Sequence, residues 1–317
     1  MVDLKELLDS IHLIRLDLNT PFRGVTSREI ALIEGPYGWG EFSPFLEYGA
    51  KESSRWLASG IEAAFEEPFP RLLEKVRVNA TMPAINDPDQ IATLMARYPG
   101  VKTVKVKVTE DERADFSRIE RVQEVAPGIR IRIDVNGSWS VNQAEERLRS
   151  LLERLDDQLE YVEQPCNSLE ELRELKGNCD VPIALDEILR KADDPLALDL
   201  RDACDLLVLK VSPLGGIGKC MEIADYFGLP VVVSSALESA VGIARGLRLQ
   251  SALGNQVFDA GLATGSLFQS DIAHLKITDG EIDVSDVIPR ALDEFELEEE
   301  RTEWWQNRVR ESYQVLA

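Results

Sequence analysis

Two histidines, His12 and His274, serve the whole of a 317-residue chain. That scarcity leaves little room for histidine metal clusters, Ser-His-Asp triads or imidazole acid–base work. Cysteine is nearly as sparse. Cys166, Cys179, Cys204 and Cys220 stand 13, 25 and 16 residues apart with no Cys-x-x-Cys pair, so buried thiols in a reducing compartment are expected rather than a disulfide framework. Positive charge is short as well, with 35 Lys+Arg against 57 Asp+Glu and a net charge of −22. This argues strongly against nucleic acid and disfavours anionic membrane surfaces, because such partners are held by Lys and Arg neutralising phosphates. No run approaches the ~18 apolar residues of a membrane span. The start, Met1-Val2-Asp3-Leu4-Lys5-Glu6, lacks the basic and apolar regions of a signal peptide, so a cytoplasmic location is expected. No Gly-x-Gly-x-x-Gly occurs either. If the chain is an enzyme, carboxylates and lysines must carry its chemistry.

What is present is a recurring β-type run. Candidate strands are Val76–Ala80, Val104–Val108, Ile131–Asn136, Tyr161–Pro165, Ile183–Glu187, Leu206–Val211, Val231–Ser235 and Val257–Gly261, whose starts lie 22 to 30 residues apart. Each interval leaves room for a helix and two short loops, as parallel strands require, and several contain a helical pattern. Asn142–Leu155 places Leu148, Leu151, Leu152 and Leu155 on one helical face. Ser168 caps a helix expected to stop at Gly177, and Gly228 stops another over Gly218–Phe227. Eight such units indicate a (β/α)-barrel over residues 76–270. A doubly wound open sheet is the alternative, less favoured by eight near-equal units.

The ends of the chain read differently. Ile11–Leu18 and Glu29–Glu34 are expected strands joined by the polar stretch Asn19–Arg28, and Ser53–Glu66 has a helical pattern. Leu275–Ile277 and Glu281–Val284 flank the hairpin signal Thr278-Asp279-Gly280. Asp293–Arg301 is expected as a solvated charged face, with Trp304 and Trp305 packing on the body. Residues 1–75 and 271–317 together then form an α+β capping domain around the barrel.

Barrel chemistry sits at the C-terminal ends of the strands, and the unusual residues gather there: Lys105 and Lys107, Asp134 and Asn136, Glu163, Asp186 and Glu187, and Lys210. Period-two alternation puts Lys105 and Lys107 on one face, and likewise Asp134 and Asn136. Any single charge here reads as an exposed strand end; five successive strands with such groups at one rim do not. Asp134, Glu163 and Asp186 form an all-oxygen set suited to Mg²⁺, with zinc disfavoured. A lysine beside a cation and a second ammonium has its proton destabilised and can serve as acid or base. That combination suits removal of a proton α to a carboxylate.

At these residues the chain resembles the enolase superfamily, in its muconate-lactonising subgroup, over Thr20 to about Ser270. Lys105-Val106-Lys107 resembles the Lys-x-Lys motif whose second lysine is the base. Asp134-Val135-Asn136, Glu163-Gln164-Pro165 and Asp186-Glu187 resemble the metal-ligand segments, with Val135 where alanine is common, and Lys210 resembles the lysine across the substrate. The resemblance implies an enolase-type barrel with a capping domain, and Mg²⁺ (Mn²⁺ as substitute) on Asp134, Glu163 and Asp186. It implies Lys107, Lys210 and Lys105 in catalysis, and Asn136 and Glu187 behind the ligands. Substrate contacts are expected at Ser234, Gly261 and at Arg23 or Arg28 of a mobile loop, each of these two arginines reading equally well as a solvated side chain. The implied reaction is a carbon–oxygen lyase step of menaquinone biosynthesis: syn-dehydration of 2-succinyl-6-hydroxy-2,4-cyclohexadiene-1-carboxylate, a small anionic substrate. N-succinylamino acid racemisation, dipeptide epimerisation and a non-catalytic binding barrel stay open as alternatives. No feature fixes the oligomeric state, and a monomer stays open.

Overall fold

A computed structural model describes residues 2–22 and 24–316. The chain opens with a short helix α1 (Leu4–Asp9) and an antiparallel sheet of β1 (Ile11–Phe22), β2 (Val25–Gly35) and β3 (Gly38–Phe42), in the order β1-β2-β3. Helix α2 (Ala50–Phe65) lies across this sheet. The approach is close enough that a Cβ on Gly40 would stand 2.0 Å from the Gly60 carbonyl oxygen, so only glycine fits there.

Seven parallel strands follow: β5 (Ala80–Met82), β6 (Thr103–Lys107), β7 (Arg130–Asp134), β8 (Leu159–Glu163), β9 (Ile183–Leu185), β10 (Leu206–Lys210) and β11 (Val231–Ser234). They are hydrogen-bonded in sequence order, β5 to β11. The intervening helices include α3 (Pro88–Met95), α4 (Glu112–Val125), α5 (Val141–Leu155), α6 (Leu169–Asn178), α7 (Glu187–Lys191), α8 (Val211–Leu214), α9 (Ile217–Phe227) and α10 (Ala240–Leu253). Ser140 and Ser168 start α5 and α6 with reciprocal capping boxes to Gln143 and Glu171. Strand alternation sends Val104, Val106, Ile131, Ile133 and Leu207 outwards into the core beneath the helices. The opposite set, including Lys105, Lys107, Asp134 and Lys210, faces the barrel axis.

The ring closes without an eighth long strand. Only Ala260, bridged to Val78, and Gly261, bridged to Ser234, carry ladder contacts, so the expected strand Val257–Gly261 is corrected to a two-residue closure. The Gln256 side chain adds to this edge, accepting from Arg77 N at 3.0 Å and donating at 2.7 Å to Arg77 O, to which Ala260 N also donates at 2.8 Å. The expected strand Val76–Ala80 splits for a related reason. β4 (Lys75–Arg77) pairs antiparallel with β12 (Glu281–Asp283), and β5 begins only at Ala80. Leu275–Ile277 is not a strand, although Thr278 and Glu281 do bridge.

Other expectations shift at their ends. β1 and β2 run on to Phe22 and from Val25, and these two residues pair where a long polar connection is expected. α6 passes through Gly177 to Asn178. The acidic tail is solvated only in part, because Leu297 is buried and Arg301 pairs with Glu29 at 2.6 Å. Helix α11 (Glu299–Leu316) buries Trp305, whose Nε1 donates to Glu29 at 2.7 Å, among Ala31, Phe42 and Trp56. Both ends of the chain thus build the cap, on an α/β barrel of enolase type.

Cap side chains join it to the barrel, three of them at helix ends. Glu62 accepts from Ile217 N at 2.8 Å and Gly218 N at 2.9 Å, at the start of α9. Glu41 accepts from Gly242 N at 3.0 Å, in the first turn of α10. Arg55 donates to the carbonyls of Arg190, Ala192 and Asp193 where α7 ends. Acid meets helix start and base meets helix end, the pairing that the helix dipole favours.

Candidate active site

The strand register assembles the site. Lys107 is level with Asp134, and Asp134 with Glu163, across β6, β7 and β8. Asp186 follows β9 directly, and Lys210 ends β10 opposite Ser234. One cavity is lined by Lys105, Lys107, Asp134, Asn136, Lys210, Ser234 and Gly261, and by Phe22 from the hairpin of the cap. Beneath it Arg132 fills the barrel, stacked over the Tyr161 ring at 4.8 Å and donating to Asn79 Oδ1 at 2.8 Å.

Asp134, Glu163, Asp186, Lys105 and Lys210 are all buried. The Lys105 ammonium donates to both Glu163 oxygens at 2.9 Å and lies 3.6 Å from Asp134. Lys210 donates to Asp186 Oδ2 at 2.5 Å. Burial pulls the Lys105 pKa down, but Glu163 and Asp134 outweigh it and hold the ammonium protonated. Burial likewise raises Asp134 and Asp186, yet Lys105, Lys107 and Lys210 at the first, and Lys210 with Arg190 at the second, carry both below the usual carboxylate range. Glu163 goes the other way: burial, with Asp134 and Asp186 close by, pushes it up to about 7 against Lys105.

Behind these groups lies a supporting layer. Arg190 donates to Asp186 Oδ1 at 3.1 Å and Glu187 Oε1 at 2.8 Å, and Asn136 donates to Glu187 Oε1 at 3.0 Å. Gln164 Oε1 accepts from the backbone of Asp186 and Ile188, fixing the turn into α7. Asn136 and Gln164 both have φ in the left-handed region, +53° and +43°, and Asn136 still lines the cavity together with Asp134. Sequence reasoning passed over Gln164 and Arg190. The signal for Arg190 was its place four residues after Asp186, one helical turn on.

As they stand, no three acidic, histidine or cysteine side chains among the described residues converge on a cation site, and the Lys105 and Lys210 ammoniums lie on the Glu163 and Asp186 oxygens. The donor set itself suits a hard divalent cation. Three buried carboxylates come from successive strand ends, and Asp134 Oδ1 is buried with no hydrogen-bond partner.

Two expected substrate contacts need comment. Arg23 lies outside the described residues. Arg28 belongs to β2 rather than to a loop, is 3% exposed, and donates to the Leu237 and Ser43 carbonyls, stacked over Phe45 at 4.1 Å; it is not among the residues that line the cavity. Ser234 and Gly261 do line the cavity, packed so that a Cβ at 261 would stand 2.5 Å from Ser234 Oγ.

Comparison with known proteins fits this geometry. The enolase C-terminal domain-like profile matches residues 89–288, and the enolase N-terminal domain-like profile residues 13–64. The o-succinylbenzoate synthase of Mycobacterium marinum is 45% identical over 317 residues, covering 99% of this chain and 96% of its own. The chain belongs to the o-succinylbenzoate synthase family of the enolase superfamily. Two solved structures share the fold. The L-Ala-D/L-Glu epimerase from Bacillus subtilis superposes with TM-score 0.72 at 21% identity, over 88% of this chain and 96% of that one. The N-succinyl Arg/Lys racemase from Bacillus cereus gives 0.71 at 20%, over 93% and 96%. Membership in the o-succinylbenzoate synthase family makes the chain a lyase acting on a small molecule and implies a divalent cation. No helix among the described residues is long and apolar enough to cross a membrane.

Proposed function

We propose that this chain dehydrates 2-succinyl-6-hydroxy-2,4-cyclohexadiene-1-carboxylate to 2-succinylbenzoate, with Lys107 as both base and acid. One observation carries the reading: Lys107 and Lys210 share a cavity with Asp134 at the C-terminal mouth of the barrel, in a chain 45% identical to an o-succinylbenzoate synthase.

Asp134, Glu163 and Asp186 would hold the cation, read as Mg²⁺ with Mn²⁺ as substitute because the donors are all oxygen. When bound, a divalent cation supplies the positive charge that makes a proton next to a carboxylate removable. The lysines do the rest. Neutral Lys107 takes the α-proton of the ring, and the ring carboxylate accepts the electron pair. Lys105 donates to the charge that develops there. The resulting ammonium of Lys107 returns its proton to the hydroxyl leaving from the same face, so the step releases one water and closes the aromatic sextet. Lys210, held by Asp186, keeps a positive charge across the ring from Lys107 and steadies the anionic π system. Backbone groups at Ser234 and Gly261 would take the succinyl carboxylate. The supporting residues are Asn136 and Glu187, which fix the cation-binding rim through Arg190.

The same pair of lysines supports a second chemistry, α-proton exchange on N-succinylamino acids or dipeptides, where one lysine removes the proton and the other returns it. The test is an aromatisation assay by absorbance, with deuterium exchange into N-succinylamino acids run in parallel. Fast, metal-dependent aromatisation upholds the dehydratase reading. Exchange without aromatisation replaces it with racemisation.

A further inference from the structure

The segment joining β11 to α10 forms one wall of the reaction cavity through Ser235, Ala236 and Leu237. Its backbone is not relaxed. Leu237 has φ +66°, a left-handed conformation that crowds the Cβ of an L-residue against its own backbone. Glu238 within the segment and Gly261 and Thr264 beside it help to hold it, and the grip on Leu237 itself comes from the cap.

Arg28 Nε of β2 donates to the Leu237 carbonyl at 3.2 Å, while Nη2 donates to the Ser43 carbonyl. Glu41 of β3 accepts from Ser239 Oγ at 2.5 Å, from Ser239 N at 3.2 Å and from Gly242 N at 3.0 Å, and its other oxygen accepts from Ser43 at 2.6 Å. Within the segment, Glu238 accepts from Ala236 N at 2.5 Å. Arg28 is buried between these two carboxylates, both of which attract it. The guanidinium fork spans two carbonyls on different elements, which a lysine's single ammonium on a flexible stem does not reproduce.

We propose that Arg28 is a positioning residue: by gripping the Leu237 carbonyl from the cap, it sets the wall that holds the substrate against Lys107. The inference rests on the dehydratase reading for its substrate. It gives Arg28 a role through Leu237, which lines the cavity, in place of direct contact with substrate.

The wall meets the substrate in ground and transition states alike, so loosening it raises KM more than it lowers kcat. The test uses Arg28→Lys and, as a second variant, Glu41→Gln, each read by thermal unfolding, by amide hydrogen exchange and by steady-state kinetics. In Arg28→Lys, exchange over residues 234–242 should accelerate about tenfold while β6 to β8 stay protected, and KM should rise about tenfold with kcat within about threefold. Glu41→Gln should loosen the same segment by less. Unchanged exchange in that segment, unchanged KM, or loss of protection over the whole molecule would overturn the proposal. The exchange measurement needs no substrate. If the wild type proves inert on the cyclohexadiene but exchanges N-succinylamino acids, the functional reading falls. The same KM rise on that substrate would still uphold Arg28.

Discussion

Lys105 donates to both carboxylate oxygens of Glu163, at 2.9 Å each, with the two side chains buried. A cation bound by Glu163 must displace that contact, so ammonium and metal compete for the same oxygens. Glu163→Gln removes the charge that either partner needs. Divalent metal affinity measured by calorimetry should fall at least tenfold, roughly what losing one of three anionic ligands entails. Undiminished affinity would remove Glu163 from the ligand set.

The second layer should show itself through the metal rather than through the chemistry. Arg190→Met takes the partner from Asp186 Oδ1 and Glu187 Oε1, leaving the Asp186 carboxylate with Lys210. Outer partners of this kind are worth about 10–100-fold in metal affinity. The variant should need correspondingly more Mg²⁺ for half-maximal activity and recover most of its kcat at saturation. An unchanged Mg²⁺ requirement would reduce Arg190 to a packing residue.

Two buried acid groups outside the cation-binding set predict the pH dependence of stability. Burial and Glu238 push Glu41 up to about 7, and burial pushes Asp271, in the loop after the barrel's closure, up to about 7. Both begin from the ordinary carboxylate range in the unfolded chain. Between that range and pH 7 the folded protein therefore binds more protons than the unfolded one, and stability falls as pH rises through the window. Urea midpoints should be higher near about pH 5 than near about pH 7.5, and Glu41→Gln should flatten that slope. A midpoint that climbs over this interval, with no flattening in the variant, would contradict the sign.

Much of the reacting centre was legible because it obeys a local rule. Alternation alone places Lys105 and Lys107 on the barrel axis, and successive strand ends bring Asp134, Glu163, Asp186 and Lys210 to the same mouth. Ser168 announces α6 by its side chain. The eighth strand was misjudged because Val257–Gly261 has β-type composition while only Ala260 and Gly261 find backbone partners. The turn at Asn136 was hidden because its left-handed φ depends on the contacts to Glu187 and the neighbouring loop. The cap-to-barrel links were beyond reach for a simpler reason. Glu62 meets Ile217 across 155 positions and Glu41 meets Gly242 across 201, and no local pattern in the chain marks either glutamate as a helix cap. Arg28 shows the cost: in sequence it closes a polar loop, and in the fold it is a strand residue behind the cavity wall.

The central claim is that Lys107 moves the proton in a metal-dependent dehydration. It is tested most directly by comparing aromatisation of the cyclohexadiene substrate by wild type and Lys107→Ala, at a Mg²⁺ concentration shown by calorimetry to saturate both. The account predicts that Lys107→Ala binds Mg²⁺ as the wild type does and loses at least about 10³-fold in kcat, within the range for removing a general base. Near-normal aromatisation by Lys107→Ala would contradict it.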